Sequence, residues 1–386
     1  MVGVKTVNRM NTKQTHILPL VITALVLVTL SACSTTGRMA QTTPGQKAEP
    51  KLRELRITAV GDLMLDASAR ETVDEEGYDY PFALTKKYFD EADIVFANLE
   101  GPLTDGGKRD RKKRFVFRSP PNKVALALKR AGIDIVSLAN NHSLDYGAEG
   151  LFDTIFALDR QNILYVGAGK NIKAARSFEV INANDHDVAF LAYNLTFPDY
   201  SWARKRRPGT AFGHEKFIRQ DVKKAKQHAD IVVVSFHWGR EVKTRLRPYQ
   251  LWLSRVAIDS GAGLVLGHHP HILQGVEVYK GGLIIYSLGN FAFGSFSKRT
   301  TRSAVAQITF RKNKFYKLRM IPLNVDNTEV LFQPTPLKGK AADKVVSTLQ
   351  TLSRPLGTNF VNNNGVAELI VPAKNKAVAS QNKINK

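Results

Sequence analysis

Three of the nine histidines in this 386-residue chain fall within four positions: His268, His269 and His271, with Pro270 between the last two. The proline stiffens the loop, and two imidazoles spaced two apart can face one centre. The cluster follows the short apolar run Leu264 to Leu266. Four other β-branched or apolar runs lead in the same way into metal-binding side chains. Ile57 to Val60 leads into Gly61-Asp62, and Ile94 to Ala97 into Asn98-Leu99-Glu100. Ile133 to Leu138 leads through Ala139 into Asn140-Asn141-His142, and Ile231 to Phe236 into His237-Trp238-Gly239. Imidazole suits zinc and iron; carboxylate and amide oxygen suit harder ions such as manganese. The set exceeds what one ion needs. Two divalent ions sharing a carboxylate would use it, and such a pair can clamp both oxygens of a displacement reaction.

Strands must bring these groups together. The five runs have the length and composition of buried strands, and helical patterns separate several of them: Pro121 to Arg130, Gly147 to Leu158, His214 to His228 and Tyr249 to Ile258. Within the first of these, Val124, Leu126 and Leu128 form the apolar set, and Gly132 ends the helix. The alternation predicts an α/β sheet with parallel pairs, whose ligands gather beyond the carboxyl ends of the strands. Later the pattern changes. Val276 to Tyr279 and Leu283 to Tyr286 flank Lys280-Gly281-Gly282, and Ala304 to Phe310 and Phe315 to Ile321 flank Arg311 to Lys314. Both read as hairpins, so antiparallel strands are expected beside the parallel core. The predicted site is one pocket at the carboxyl edge of the central sheet.

Seven motifs occur in a fixed order over Leu55 to Gly294: Gly61-Asp62-Leu63-Met64-Leu65, Asn98 to Leu103, Ala139 to His142 with Asp145-Tyr146-Gly147, Val166 to Gly169, His237 to Glu241, Gly267 to His271 and Tyr286 to Phe291. In this the chain resembles the CapA family of poly-γ-glutamate capsule-synthesis proteins, a branch of the calcineurin-like metallophosphoesterases. The resemblance implies a two-sheet β-sandwich flanked by helices, an α+β or α/β fold. It implies metal ligands at Asp62, Glu100, Asn141, His237, His269 and His271, and a catalytic or charge-stabilising role for His142. It also implies one or two divalent ions of the manganese, zinc or iron class. Further candidates are Asn98, His268, Glu241 and Asn290, and His268 is expected to orient its loop through a hydrogen bond. Two positions depart from the phosphoesterase pattern. Met64 stands where a histidine is usual, and Glu100 where an aspartate bridges, so one metal position is expected to lack a nitrogen ligand.

The N-terminus predicts export. Lys5, Arg9 and Lys13 precede an apolar run from Ile17 to Leu30, which ends in Leu30-Ser31-Ala32-Cys33. That pattern reads as a secretory leader with a lipobox, and Cys33 as the lipidated residue. Cys33 is the sole cysteine, so no internal disulfide can form. Ser34 favours sorting to the outer membrane, facing the periplasm. The expected organisation is a leader over 1–33, a tether over 34–53, the main domain over 54–325, an extension over 326–372 and a disordered basic tail over 373–386.

The formal charge is +22, and a leader holding three cations and no acid leaves about +19. The basic runs include Arg111 to Arg114 and Arg204 to Arg207. An exported chain of this charge points to an anionic polymer such as poly-γ-glutamate, to a membrane reached through lipid, and to other capsule synthesis or export proteins, and away from nucleic acid. Two functions fit: a component of capsule-polymer synthesis or export, or a metal-dependent hydrolase of a phosphoester or an amide in an envelope polymer.

Overall fold

The computed structural model describes residues 54–371. The expected leader, Cys33, the tether and the basic tail lie outside the described residues. Two mixed sheets pack face to face. The larger has ten strands, and its path runs Val361–Asn363, Val366–Ile370, Lys314–Asn324, Arg302–Arg311, Leu55–Met64, Ile94–Leu99, Ile135–Ser137 and Leu164–Val166. Off this path, Asn290–Phe293 pairs with Leu55–Met64, and Thr335–Pro336 with Lys314–Asn324. The smaller sheet has six strands, in the order Val276–Tyr279, Gly282–Ile285, Leu264–His268, Ile231–His237, His186–Asn194 and Glu179–Ala183.

Side-chain alternation explains the layering. Ile57, Phe96 and Ile135 of the larger sheet meet Phe190, Val233 and Leu266 of the smaller in one core. Phe96 and Phe190 stack across this interface with centroids 5.9 Å apart. Each such ring contributes about 1.5–3 kcal/mol of burial free energy. The opposite faces carry Val95, Ala97 and Val136 on one sheet and Val232, Val234 and Val265 on the other. Both faces are apolar because helices cover each of them, which is why these strands lack polar alternation.

The helices follow their sequence signals. Pro121–Ala131 starts with proline in its first turn, and Gly132 closes it in a left-handed conformation, φ +93°. Val124 and Leu128 are buried, but Leu126 is 37% exposed, because a spacing of two turns a side chain well away from the shared face. Gly147–Arg160 shares the outer face of the larger sheet, while Glu215–Lys226 and Pro248–Asp259 cover the smaller one.

Both expected hairpins form as antiparallel pairs. The segment set apart as an extension adds to the larger sheet through Thr335–Pro336, Val361–Asn363 and Val366–Ile370. Its helix Gly339–Ser353 places Val345, Val346 and Leu349 in the core between the sheets. Among the described residues, no helix is long and apolar enough to cross a membrane.

Candidate metal centre

The five strand ends meet at one place, but they come from two sheets rather than one. Leu55–Met64, Ile94–Leu99 and Ile135–Ser137 run parallel in the larger sheet, and Ile231–His237 and Leu264–His268 run parallel in the smaller. Closing the sandwich sets the two carboxyl edges against each other. Asp62 pairs in register with Asn98 on one side and Asn290 on the other, beside an irregularity in the strand pairing. Such irregularities re-aim side chains at functional edges.

Glycine is required at two of these strand ends. A Cβ on Gly61 would stand 1.9 Å from the Gly289 carbonyl oxygen, and one on Gly267 1.9 Å from that of Tyr286. The neighbouring backbones can come this close only where no side chain intervenes. The loop beyond Gly267 is strained as well, with His269 at φ +90° and His271 at φ +57°. Non-glycine residues take such conformations rarely, and mostly where the fold needs a side chain aimed against its preference.

Glu100 lies at the middle. Its Oε1 is buried without a hydrogen-bond partner among the described residues and lies 3.9 Å from the Nε2 atoms of His142, His237 and His271. Two groups of ligand atoms, each within 4.8 Å of one another, share Glu100: Asp62, Glu100 and His237, and Glu100, His269 and His271. The Nδ1 of His269 is likewise buried without a partner. A lone buried oxygen ringed by nitrogens too distant for hydrogen bonds is unfavourable in itself. A divalent ion among these donors would satisfy them, so the residues fit the expected metal.

The surrounding bonds orient the set. Asn98 Nδ2 donates to Asp62 Oδ1 at 2.8 Å, and Asn140 Nδ2 donates to Asn98 Oδ1 at 3.2 Å. His237 Nε2 is 2.7 Å from Asn141 Oδ1, and His271 Nδ1 is 2.8 Å from Asn290 Oδ1. His268 does not make its expected hydrogen bond. Its ring lies 6.0 Å from that of Phe96, and its Nδ1 is 3.4 Å from Asp62 Oδ1 without hydrogen-bond alignment. Met64 is buried, and its sulfur accepts from the Asp66 backbone N–H at 3.3 Å. Glu241 lies on the rim, in the wall of a cavity of about 330 Å³ shared with His142, His271 and Asn290.

Electrostatics polarise the cluster. Burial would raise Asp62, but the imidazoles of His268 and His271 hold its carboxyl well below the ordinary range. Burial and the Asp62 carboxylate push Glu100 well above it. Burial opposes a charge on His271, yet Glu100 and Asp62 raise it to about 9. Burial, then the neighbouring histidines, keep His269 at about 3 and His237 well below its ordinary value. Both of these rings are therefore neutral, as metal coordination requires.

Two residues join the site that the motifs alone did not assign. Asp145 Oδ2 is 2.7 Å from His142 Nδ1 and also accepts from the Phe117 N–H at 2.8 Å. Lys113 Nζ pairs with Asp145, donates to the Asn141 carbonyl at 2.7 Å and lies 3.2 Å from His142 Nδ1. Asp145 had a signal, three residues after His142 in a turn. Lys113 had none, since it sits inside a run of cations.

Comparison with known proteins agrees with the motif order. Residues 56–295 match the family described as bacterial capsule synthesis protein PGA_cap. The chain is 36% identical over 311 residues to the capsule biosynthesis protein CapA of Bacillus anthracis, covering 79% of this chain and 75% of that one. It is 31% identical over 300 residues to the PGA biosynthesis protein CapA of Bacillus subtilis, covering 76% and 78%. Among solved structures it is similar to the NAD nucleotidase of Haemophilus influenzae, at 13% identity and a TM-score of 0.45, covering 78% of this chain and 63% of that one. The match thus spans less than two thirds of the nucleotidase. With ordered motifs, a family match over most of the folded region and a CapA relative above 30% identity, the chain belongs to the PGA_cap family of bacterial capsule synthesis proteins, the CapA family.

Proposed function

We propose that the chain is a cell-envelope lipoprotein that acts in the synthesis or export of poly-γ-glutamate or a similar anionic capsule polymer, through a divalent-metal centre at Glu100. The observation that carries the metal part is Glu100, shared by two ligand groups and with its Oε1 buried and unpartnered. The names of the CapA relatives support the polymer. In this reading Asp62, Glu100, Asn141, His237, His269 and His271 hold one or two ions of the manganese, zinc or iron class. Ions held in this way act as Lewis acids toward a carbonyl or phosphoryl oxygen.

The chain's own groups complete the site. Asp145 and Lys113 fix the Nδ1 side of the His142 ring and turn Nε2 toward the centre, where it can hold or deliver a proton. Asn98 and Asn140 lock Asp62 in place. Burial of the cluster excludes bulk water and strengthens each charge. Anchoring through Cys33 keeps the site at the membrane, alongside the other capsule synthesis or export proteins, facing the periplasm.

A second reading, a metal-dependent hydrolase of an envelope phosphoester or amide, draws on the same donor set. One experiment separates the two. The full chain, purified in detergent, is analysed for metal and assayed on poly-γ-glutamate and on a generic phosphodiester. Bound metal with binding of the polymer and no cleavage of either substrate supports the capsule reading. Cleavage of either substrate would favour the second, and a metal-free protein that cannot be reconstituted removes the centre from both.

A further inference from the structure

The metal centre has two unlike flanks. The cavity on the His142 side, about 330 Å³, includes Glu241 and no lysine or arginine in its wall. The groove on the His269 side, about 440 Å³, carries Arg240 and Arg247 and no carboxylate. Both arginines are exposed, and neither guanidinium meets a carboxylate among the described residues. Arginines elsewhere on the surface are often paired, for example Arg176 with Asp221 and Arg255 with Glu277. Arg240 and Arg247 instead lie beside an aromatic floor with no carboxylate partner among the described residues. Trp202 and Phe212 stack there with centroids 4.1 Å apart, and Trp202 is held by its indole N–H donating to the Thr196 carbonyl at 3.2 Å. The Thr196 hydroxyl in turn reaches Asn141 Oδ1 at 3.4 Å, so the groove floor connects directly to the metal centre.

We infer that this groove is the polymer-recognition subsite of the centre: Arg240 and Arg247 take carboxylates of an amide-linked polyanion while Trp202 and Phe212 take its methylene segments. The inference rests on the polymer reading proposed above. Guanidinium forks match carboxylates in bidentate geometry, and flat rings offer apolar surface to an aliphatic spacer without fixing its sequence. A γ-linked glutamate chain alternates just these two features, a free carboxylate and a pair of methylenes in each unit. The opposite cavity offers this chain no guanidinium or ammonium group. The charge asymmetry therefore admits the polyanion from the His269 side and sets its amide bond over the centre.

The test uses the full chain in detergent, with tryptophan fluorescence as the readout and two probes: a γ-linked glutamate octamer and its α-carboxamide counterpart, the uncharged γ-linked isoglutamine octamer. The wild type should bind the glutamate octamer and not the isoglutamine one. Arg240→Gln and Arg247→Gln should each weaken binding roughly tenfold, as expected for loss of one charge-assisted contact. Metal content should stay at the wild-type level, which also shows that the variants fold. Trp202→Phe should remove most of the fluorescence change. Wild-type binding that survives the double arginine variant overturns the subsite and leaves the polymer reading standing. Equal binding of the isoglutamine octamer overturns carboxylate recognition. A wild type that binds no glutamate octamer overturns the polymer reading, and this subsite with it.

Discussion

The Nε2 of His237 lies 2.7 Å from the Oδ1 of Asn141, a contact that ties the edge of one sheet to the edge of the other. An amide oxygen can only accept, so the His237 proton sits on Nε2. For both atoms to bind an ion, that proton must move to Nδ1, a change of tautomer that releases none. His271, raised to about 9 by the Glu100 and Asp62 carboxylates, instead carries an extra proton that a metal would displace. Metal binding should therefore release protons, and affinity should rise as pH increases toward 9. The check is titration calorimetry with manganese or zinc at pH 7 in two buffers of different ionisation enthalpy. A dependence of the heat on buffer is expected; identical heats would mean the cluster already stands in its metal-ready form.

Glu100 gives a prediction of opposite signs in the two states. In metal-free protein its Oε1 is buried and unpartnered, and burial and Asp62 raise its pKa. Glu100→Gln should then stabilise the metal-free protein, or leave it unchanged, by up to about 1–3 kcal/mol. A raised folded-state pKa stabilises at low pH and loses that contribution as pH rises. The advantage of the variant should thus grow above the ordinary carboxyl pKa of about 4.3. In the presence of metal the order should reverse, because both ligand groups lose their common member. Melting curves with and without chelator, and metal content, read both effects. A variant that retains two equivalents of metal would sink the shared-carboxylate arrangement.

Lys113 should matter far more than its neighbours. Its ammonium is mostly buried against the fully buried Asp145 carboxylate. Lys113→Met leaves that carboxylate without its cation and should destabilise the metal-free protein by about 3 kcal/mol. Lys113→Met with Asp145→Asn should recover part of the loss, since a neutral amide no longer needs the cation. Urea unfolding of the single and double variants measures this. A single variant within about 0.5 kcal/mol of wild type would leave the pair with no structural role.

The sequence made the parallel strands legible because each is a short apolar run buried on both faces, and it made the ligand types legible because each run ends in them. It could not show that those runs divide between two sheets, since nothing local distinguishes Val233 facing the core from Val234 facing a helix. The spacing rule misjudged Leu126, which shares neither face of its neighbours Val124 and Leu128. Lys113 was hidden for a different reason. In the run Arg111 to Arg114 every residue is a cation, and only the chain's path past His142 turns one of the four inward. His268 was misjudged by chemistry, because a buried imidazole ordinarily finds a hydrogen bond, and this one meets Phe96 and the Asp62 carboxylate instead.

The proposed localisation rests on Cys33, at the end of Leu30-Ser31-Ala32-Cys33. Cys33→Ser should accumulate as an unlipidated precursor that keeps its leader, while the wild type partitions into the membrane fraction. Labelling with a fatty-acid analogue, followed by fractionation, reports both. Wild-type protein recovered free in the periplasm and cleaved elsewhere would end the lipoprotein reading.

The exposed cations should set the salt dependence of polymer binding without setting its site. Arg111, Lys112, Arg114, Arg204, Lys205 and Arg206 are all exposed, whereas Lys113 and Arg207 are drawn inward, Arg207 donating to the Trp202 carbonyl at 2.9 Å. Neutralising the six exposed residues and sparing the other two therefore changes surface charge without touching the His142 side chain or the Trp202 floor. Exposed charges act over a screening length of about 10 Å at 0.1 M salt, so their contribution should fade between low and physiological ionic strength. The six-site variant should bind a γ-linked glutamate octamer more weakly than wild type at low salt, with a shallower salt dependence, and the two should converge near 0.5 M salt, where screening is strong. Binding isotherms at several salt concentrations decide it. A variant that follows the wild-type curve throughout would reduce these runs to solvated loops and leave recognition to Arg240 and Arg247.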